Sequence, residues 1–386
     1  MSGTGADMAI RTRNAEYTKK YNRNLLLRLL RKEPLSRAEL ARRMGLTRAA
    51  ASLITAELIE EGIIVEMEPV AGMRGRTPTP LRINPEAGYA VGIYLNRDGC
   101  SIGITNMTEN LVIQDEVKLN DIVPGRKLNL LGSAVSDLIE RSGIEQKKIL
   151  GIGISAPGPL NGEGGEILNP PRFDLWHNTL IGPALSEALG LPVFLENNAT
   201  CLARYHQGKP EAGGSENYLL LLVDSGVGSG VISKGKILKG AGYYTSEIGH
   251  VSIDMHGRKC SCGNIGCLEA YAAMPHILYG TGYRNWEELM NNIGRDEDAV
   301  EIMYQEAEYL SAGIVTLTNL ISIDTVLLTG DIWYEAGKLS PVIEELVNQR
   351  ILTRNRQPVR VRVASNNAGI RILAAADVVF DRILAG

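Results

Sequence analysis

The chain has 386 residues, 44% of them apolar and 22% charged, which is the composition of an ordinary globular protein with room for two or three domains. No apolar run reaches the ~18 residues of a membrane span, and the polar stretch from Met1 to Asn14 lacks the apolar centre of a signal peptide. No membrane partner is therefore expected, and a cytoplasmic location is. The net charge of −4 is unevenly placed: residues 1–84 hold 15 Lys/Arg against 9 Asp/Glu, a balance of +6, and the remainder carries −10. A basic head on an acidic body directs a polyanion to the head alone. Five cysteines in this length do not suggest a disulfide scaffold, and three of them crowd between Cys260 and Cys267, which in a reducing compartment reads more naturally as metal binding.

The head begins with a helix from Tyr17 to Lys32, whose Leu25, Leu26, Leu29 and Leu30 recur at helical spacing. Pro34 stops it. Ser36 caps a short second helix, with Glu39 three residues on to complete a capping box. Leu40, Ala41 and Met44 form its inner face, and Gly45 makes the turn. Thr47 caps a third helix running to about Glu61, with Ala51, Ile54, Leu58 and Ile59 inward. Gly62 ends it, and Ile63–Val65 starts a strand. Helix, short helix, turn, helix, strand is the order of a winged helix-turn-helix. In that motif the helix after the turn enters the major groove with its N-terminal residues leading. Here these are Thr47, Arg48, Ala49, Ala50 and Ser52. Arg48 suits a guanine edge or a phosphate, and the alanines allow close approach to thymine methyls. Between two β-prone stretches lies Gly72-Met73-Arg74-Gly75-Arg76-Thr77-Pro78. Its two guanidinium groups suit a narrow A·T-rich minor groove. The other reading is a solvated loop, and its place directly after the helix-turn-helix favours DNA.

From Pro85 the pattern becomes α/β. Strands are expected at Tyr89–Tyr94, Cys100–Thr105, Leu111–Leu119, Leu150–Ser155, Leu191–Leu195, Tyr218–Val223 and Val326–Leu328, with a helix at Leu128–Arg141. Several run directly into polar or glycine segments: Ala156-Pro157-Gly158, Glu196-Asn197-Asn198, Asp224 to Gly230, and Thr329-Gly330-Asp331. Strand ends are where α/β folds build ligand sites, and this alternation predicts lobes around a cleft.

His250, Cys260, Cys262 and Cys267 form the spacing His-x9-Cys-x-Cys-x4-Cys. Four such ligands suit a closed tetrahedral zinc site, structural because no position stays open for water. Gly263 and Gly266 let the backbone fold the thiolates inward. Cys100 and Cys201 stand alone and read as small core residues.

The run Glu247-Ile248-Gly249-His250 through Cys260-Ser261-Cys262-Gly263-Asn264-Ile265-Gly266-Cys267-Leu268-Glu269 resembles the signature of the ROK family of repressors and sugar kinases. The resemblance covers nearly the whole chain, including the winged helix-turn-helix of the repressor branch, Glu196-Asn197-Asn198 and the glycine-rich turn at 225–230. It implies an actin-like, hexokinase-like pair of α/β lobes with a sugar in the cleft. The corresponding division is a head over 1–84, a first lobe over 85–195 completed by a C-terminal helix at 367–386, and a second lobe with the zinc site over 196–366. It also implies that Asn197, Asn198, Glu247, His250 and Glu269 hydrogen-bond sugar hydroxyls. Amides and carboxylates match hydroxyls that donate and accept, and one nitrogen of His250 is left for the sugar when the other binds zinc.

Two departures from the kinase pattern bear on activity. Kinases of the family have Glu-Asn-Asp where this chain has Glu196-Asn197-Asn198, and an amide cannot act as the general base. Their Asp-x-Gly-x-Thr phosphate turn is replaced by Tyr94-Leu95-Asn96-Arg97-Asp98, without the slim backbone that cradles phosphate. The expectation is a non-enzymatic, sugar-responsive repressor of carbohydrate-utilisation genes, with one structural zinc per chain, operator DNA and a sugar as partners, and a homodimer or higher oligomer. An active kinase with an added DNA-binding head is the alternative, and a constitutive DNA-binding protein the third reading. The loop Asn169 to His177 is placed near the cleft, with Trp176 either stacking on a sugar ring or packing in the core.

Overall fold

The computed structural model describes residues 15–68, 79–97, 99–119, 124–240 and 246–385. The chain forms two compact units: residues 1–88 with 106–110 and 380–386, and residues 89–105 with 111–379. Among the described residues no helix is long and apolar enough to cross a membrane.

The first unit runs α1 (Ala15–Lys32), β1 (Leu35–Ser36), α2 (Arg37–Met44), α3 (Arg48–Glu60), β2 (Ile64–Glu66) and β3 (Pro80–Ile83). The strands form an antiparallel sheet in the order β1-β3-β2. This is the expected winged helix-turn-helix order. On α1 the buried apolar residues are Leu26, Leu27 and Leu30, so the apolar stripe is turned slightly from the expected one. Ser36 Oγ accepts the Glu39 N–H at 3.3 Å, but the capping box is only half made. The Glu39 carboxylate instead takes Arg42 at 2.6 Å and Arg43 at 2.8 Å, because charged donors within one turn outcompete a neutral backbone N–H. Thr47 Oγ1 caps α3 by accepting the Ala50 N–H at 3.2 Å. The segment Gly72 to Pro78, with Arg74 and Arg76, lies outside the described residues, as does Asp98. Within the same unit, Arg31 donates to the Met107 carbonyl at 3.3 Å and lies 5.0 Å from the Phe380 ring centroid.

The second unit opens with β4 (Tyr89–Leu95), β5 (Gly99–Asn106), β6 (Leu111–Lys118), α4 (Pro124–Ser142), β7 (Ile149–Ala156), β8 (Leu160–Asn161), β9 (Glu166–Ile167), α5 (Ile181–Leu189), β10 (Val193–Asn197) and α6 (Asn198–His206). It continues with β11 (Tyr218–Val223), β12 (Val227–Ser233), β13 (Lys236–Ile237), α7 (Glu269–Ala272), α8 (Met274–Ile277), α9 (Trp286–Asn292), α10 (Glu297–Ile321), β14 (Thr325–Gly330), α11 (Ala336–Arg350), β15 (Arg360–Val363) and α12 (Ala368–Ala385). Two five-stranded sheets result, β10-β7-β4-β5-β6 and β13-β12-β11-β14-β15. Numbered within each sheet, both have the order 3-2-1-4-5. In each, the first, fourth and fifth strands are parallel and the second and third are an antiparallel pair. The central strands are covered on both faces and so read as continuous apolar runs, as in Tyr218–Val223. Edge strand β6 alternates half-buried and exposed residues.

Helix α12 packs on the first sheet at glycines. A Cβ on Gly92 would lie 2.2 Å from the Ile372 carbonyl oxygen, and one on Gly153 would lie 2.0 Å from that of Ala375. Other α12 residues, Ala374 and Val378, share a core with Leu202 of α6 and Leu220 of β11. Cys100 and Cys201 are buried core residues, as expected, and burial pushes both thiols up to about 12. Trp176 is 3% exposed in the core of the first sheet, beside Phe173. Of its two readings, packing is the one observed.

Candidate functional site

Thr47, Arg48, Ala49 and Ser52 are exposed at the start of α3, with Ala50 half-buried, while Ala51, Ile54, Thr55 and Leu58 hold the opposite face in the core. Thr47, Arg48, Ala49 and Ser52 therefore lie on a face turned away from the core. It also carries Leu53, 64% exposed, which sequence reasoning passed over because its leucine was assigned no role.

In the second unit the polar strand ends converge. Parallel pairing sets Asn197 beside Ala156, so Glu196-Asn197-Asn198 and Ala156-Pro157-Gly158 emerge together. Asn197 Oδ1 caps α6, accepting the N–H groups of Ala199 at 2.9 Å and Thr200 at 3.2 Å, which leaves its Nδ2 to face the cleft. A Cβ on Gly158 would lie 3.1 Å from both Asn197 Nδ2 and Glu247 Oε1, so these two groups flank one point. Asn197, Asn198, Glu247, His250 and Glu269 all line the same cleft. Burial pushes the Glu247 carboxyl up; His250 opposes this and the like charge of Glu269 adds to it. Glu269 Oε2 accepts the Val227 N–H at 3.0 Å.

Asn198 is committed at both ends of its amide. It accepts from Ser155 Oγ at 2.6 Å and donates to the Leu95 carbonyl at 3.2 Å. The neighbouring turn is filled. Tyr94 is 1% exposed with the Arg371 guanidinium 5.1 Å from its ring centroid, and Arg97 reaches across to the Ser225 carbonyl at 2.5 Å. Asp224, at the end of β11, is pushed up by burial, against its hydrogen bond from the Gly226 N–H.

The ligand atoms of His250, Cys260, Cys262 and Cys267 all lie within 4.8 Å of one another. Cys260 Sγ is 3.7 Å from His250 Nδ1, and Cys262 Sγ is 3.7 Å from Cys267 Sγ. Zinc bound ~2.3 Å from each sulfur leaves neighbouring ligand atoms ~3.8 Å apart, so the set fits a tetrahedral metal ion. Gly266 has φ +74°, and a Cβ there would lie 1.6 Å from the Asp254 carbonyl oxygen, so only glycine makes this loop.

Residues 99–381 match the model of the ROK family, and residues 19–65 match a winged helix-turn-helix DNA-binding model. The chain belongs to the ROK family. The xylose repressor of Caldicellulosiruptor bescii is 27% identical over 372 residues, covering 91% of this chain and 93% of that protein. A ROK family transcriptional regulator described as a homolog of E. coli MLC superposes with a TM-score of 0.81 at 25% identity, covering 95% of this chain and 98% of the other. The ROK hexokinase of Thermus thermophilus superposes with a TM-score of 0.66 at 26% identity, covering 77% of this chain and all of that one.

Against the ROK pattern, two cleft residues went unread in the sequence, Arg97 in its bridging role and Asp224, as did Arg172, which bonds to cleft residues. Arg172 donates to the Ser225 carbonyl at 3.0 Å and to Glu269 Oε1 at 3.3 Å. The partners of Arg97 and Arg172 are 128 and 53 residues away, so no local spacing signals them.

Proposed function

We propose that this ROK protein is a sugar-responsive transcriptional repressor of carbohydrate-utilisation genes that binds its sugar without phosphorylating it. The observation that carries the reading is the contrast within one cleft. Asn197, Glu247, His250 and Glu269 present groups suited to sugar hydroxyls. The base position, by contrast, is an amide held by Ser155 and Leu95, and the phosphate turn is filled by Tyr94 and Arg97. A repressor's name on a relative spanning nearly the whole chain supports the same reading.

In this reading Thr47, Arg48, Ala49, Ala50 and Ser52 enter the major groove of operator DNA, and Arg74 and Arg76 the minor groove. One zinc per chain, on His250, Cys260, Cys262 and Cys267, is structural. His250 gives Nδ1 to the metal and turns its other nitrogen to the sugar. A two-fold operator calls for a homodimer, and the work is done in the cytoplasm where that DNA lies. The head is taken as 1–84, the first lobe as 85–195 with the C-terminal helix, and the second as 196–366.

Calorimetry and a coupled ADP assay on one preparation test the reading, using glucose, xylose and N-acetylglucosamine. Binding without ADP release is expected for the wild type and for Asn198→Asp, since restoring a base worth ~10²–10⁴-fold leaves the phosphate turn filled. Turnover near ~10 s⁻¹, the median for enzymes, would make the protein a kinase.

A further inference from the structure

The exposed face of α3 is bare of charge. Ala49, Ser52, Leu53 and Ala56 are all exposed, and at about 100° per residue they fall on one side of the helix. Buried Ala51, Ile54, Thr55 and Leu58 hold the other side. From Ala49 to Ala56 the chain has no charged residue. Leu53, 64% exposed, is the largest side chain on that face. The other helices of the head are the reverse: α1 exposes Lys19, Lys20 and Arg28, and α2 exposes Arg42 and Arg43. Two of the acids that follow Ala56, Glu57 and Glu61, are ion-paired with Lys19 and Arg23 of α1, which lessens their repulsion of a polyanion. A lone exposed leucine is ordinary on a protein surface. This one stands among alanines and a serine, on the helix that a winged helix-turn-helix turns to DNA.

From this face we infer that Leu53 selects thymine in the operator: its side chain packs on the C5-methyl of a thymine in the major groove, and Ala49 and Ala56 let the helix come close enough for it to do so. The inference rests on the docking of α3 proposed above and adds a residue and the base it reads. The floor of the major groove presents donors and acceptors at every base pair, and thymine alone adds an apolar group there. Leucine offers a base edge no hydrogen bond, so against guanine, cytosine or adenine it covers polar atoms and leaves them unpaired. Against thymine it covers a methyl. The cations of α1 and α2 suit the phosphates at the groove's rims, and the uncharged face of α3 suits its floor.

Uracil substitution tests this, because it removes the methyl of a thymine and leaves its hydrogen-bonding groups in place. The full chain selects a duplex from random DNA, and fluorescence anisotropy then measures its affinity for copies with uracil at each thymine in turn. In each half-site at least one substitution is expected to weaken wild-type binding about fourfold, the worth of one buried carbon. In Leu53→Ala that penalty is expected to vanish, with the variant unfolding at the wild-type temperature because the side chain lies outside the core. Leu53→Met, apolar and of similar volume, is expected to keep the penalty, and Leu53→Gln, of similar length but polar, to lose it. Uracil tolerated at every position by the wild type would overturn the inference while leaving the docking of α3 intact. A penalty of the same size in Leu53→Ala would overturn the assignment to this leucine. The same penalty together with a changed sedimentation coefficient would give Leu53 to a contact with a second copy of the chain, and overturn it too. No duplex selected from the pool would overturn the DNA-docking reading and this inference with it.

Discussion

Replacing a carboxylate by an amide at Asn198 changes more than proton affinity. The amide offers a donor that the Leu95 carbonyl takes and an acceptor that Ser155 fills, so the side chain becomes part of the wall. Arg48 is in the opposite situation, exposed at the start of α3 with its neighbours Thr47 and Ala49. Arg48→Ala is expected to weaken operator binding by ~1–3 kcal/mol and to relax preference at one base pair, if it reads a base edge. Fluorescence anisotropy with the operator duplex and single-base variants measures this, and unchanged affinity would remove Arg48 from the docking face. The residues proposed to bind sugar hydroxyls could be named from the sequence because Glu247, His250 and Glu269 lie within one short run that resembles the ROK signature. Arg97 and Arg172 were not, since their shared partner Ser225 comes close only once the strands pair.

Helix α10 holds a group that no helical pattern reveals. Glu306 is 0% exposed, and neither carboxylate oxygen has a hydrogen-bond partner among the described residues. Burial raises its carboxyl well above the ordinary value of 4.5. The sign follows directly. In the unfolded chain Glu306 ionises above about pH 4.5, whereas in the folded chain it stays protonated to higher pH. Its contribution to stability is therefore fully present below the unfolded value and is lost as pH rises toward the folded one. Glu306→Met, similar in shape, is expected to stabilise the protein by ~1–3 kcal/mol at pH 8 and by less at pH 4. Denaturant melts at both pH values check it; an equal effect at the two would show that the carboxyl does not titrate differently on folding. The cysteine loop makes a second case. Protein purified without chelator is expected to carry about one zinc per chain, and Cys262→Ser to lower both metal content and Tm. Metal analysis finding no zinc would count against the site. Strands were readable here because β11 and its neighbours are unbroken apolar runs. The half-made cap at Ser36 was not, because it depends on which donors reach Glu39 first.

Both sheets of the second unit repeat the order 3-2-1-4-5, and the polar ends of β4, β7, β10 and β11 gather at one cleft. That duplication was carried in the sequence only as alternating strands and helices, since the pairing order depends on contacts between distant segments. The cleft and the head together make a regulator only if the sugar has unequal affinity for DNA-bound and free protein. The coupling is reciprocal: whatever factor the sugar applies to operator affinity, the operator must apply to sugar affinity. A duplex selected from random DNA by this protein, titrated with and without the tightest-binding sugar of the panel, measures that factor. A change in operator dissociation constant of ~5–150-fold is expected, as for ordinary allosteric coupling, with the same factor recovered when sugar binding is measured with and without the duplex. A sugar that binds in the cleft while operator affinity stays the same would contradict a sugar-responsive repressor.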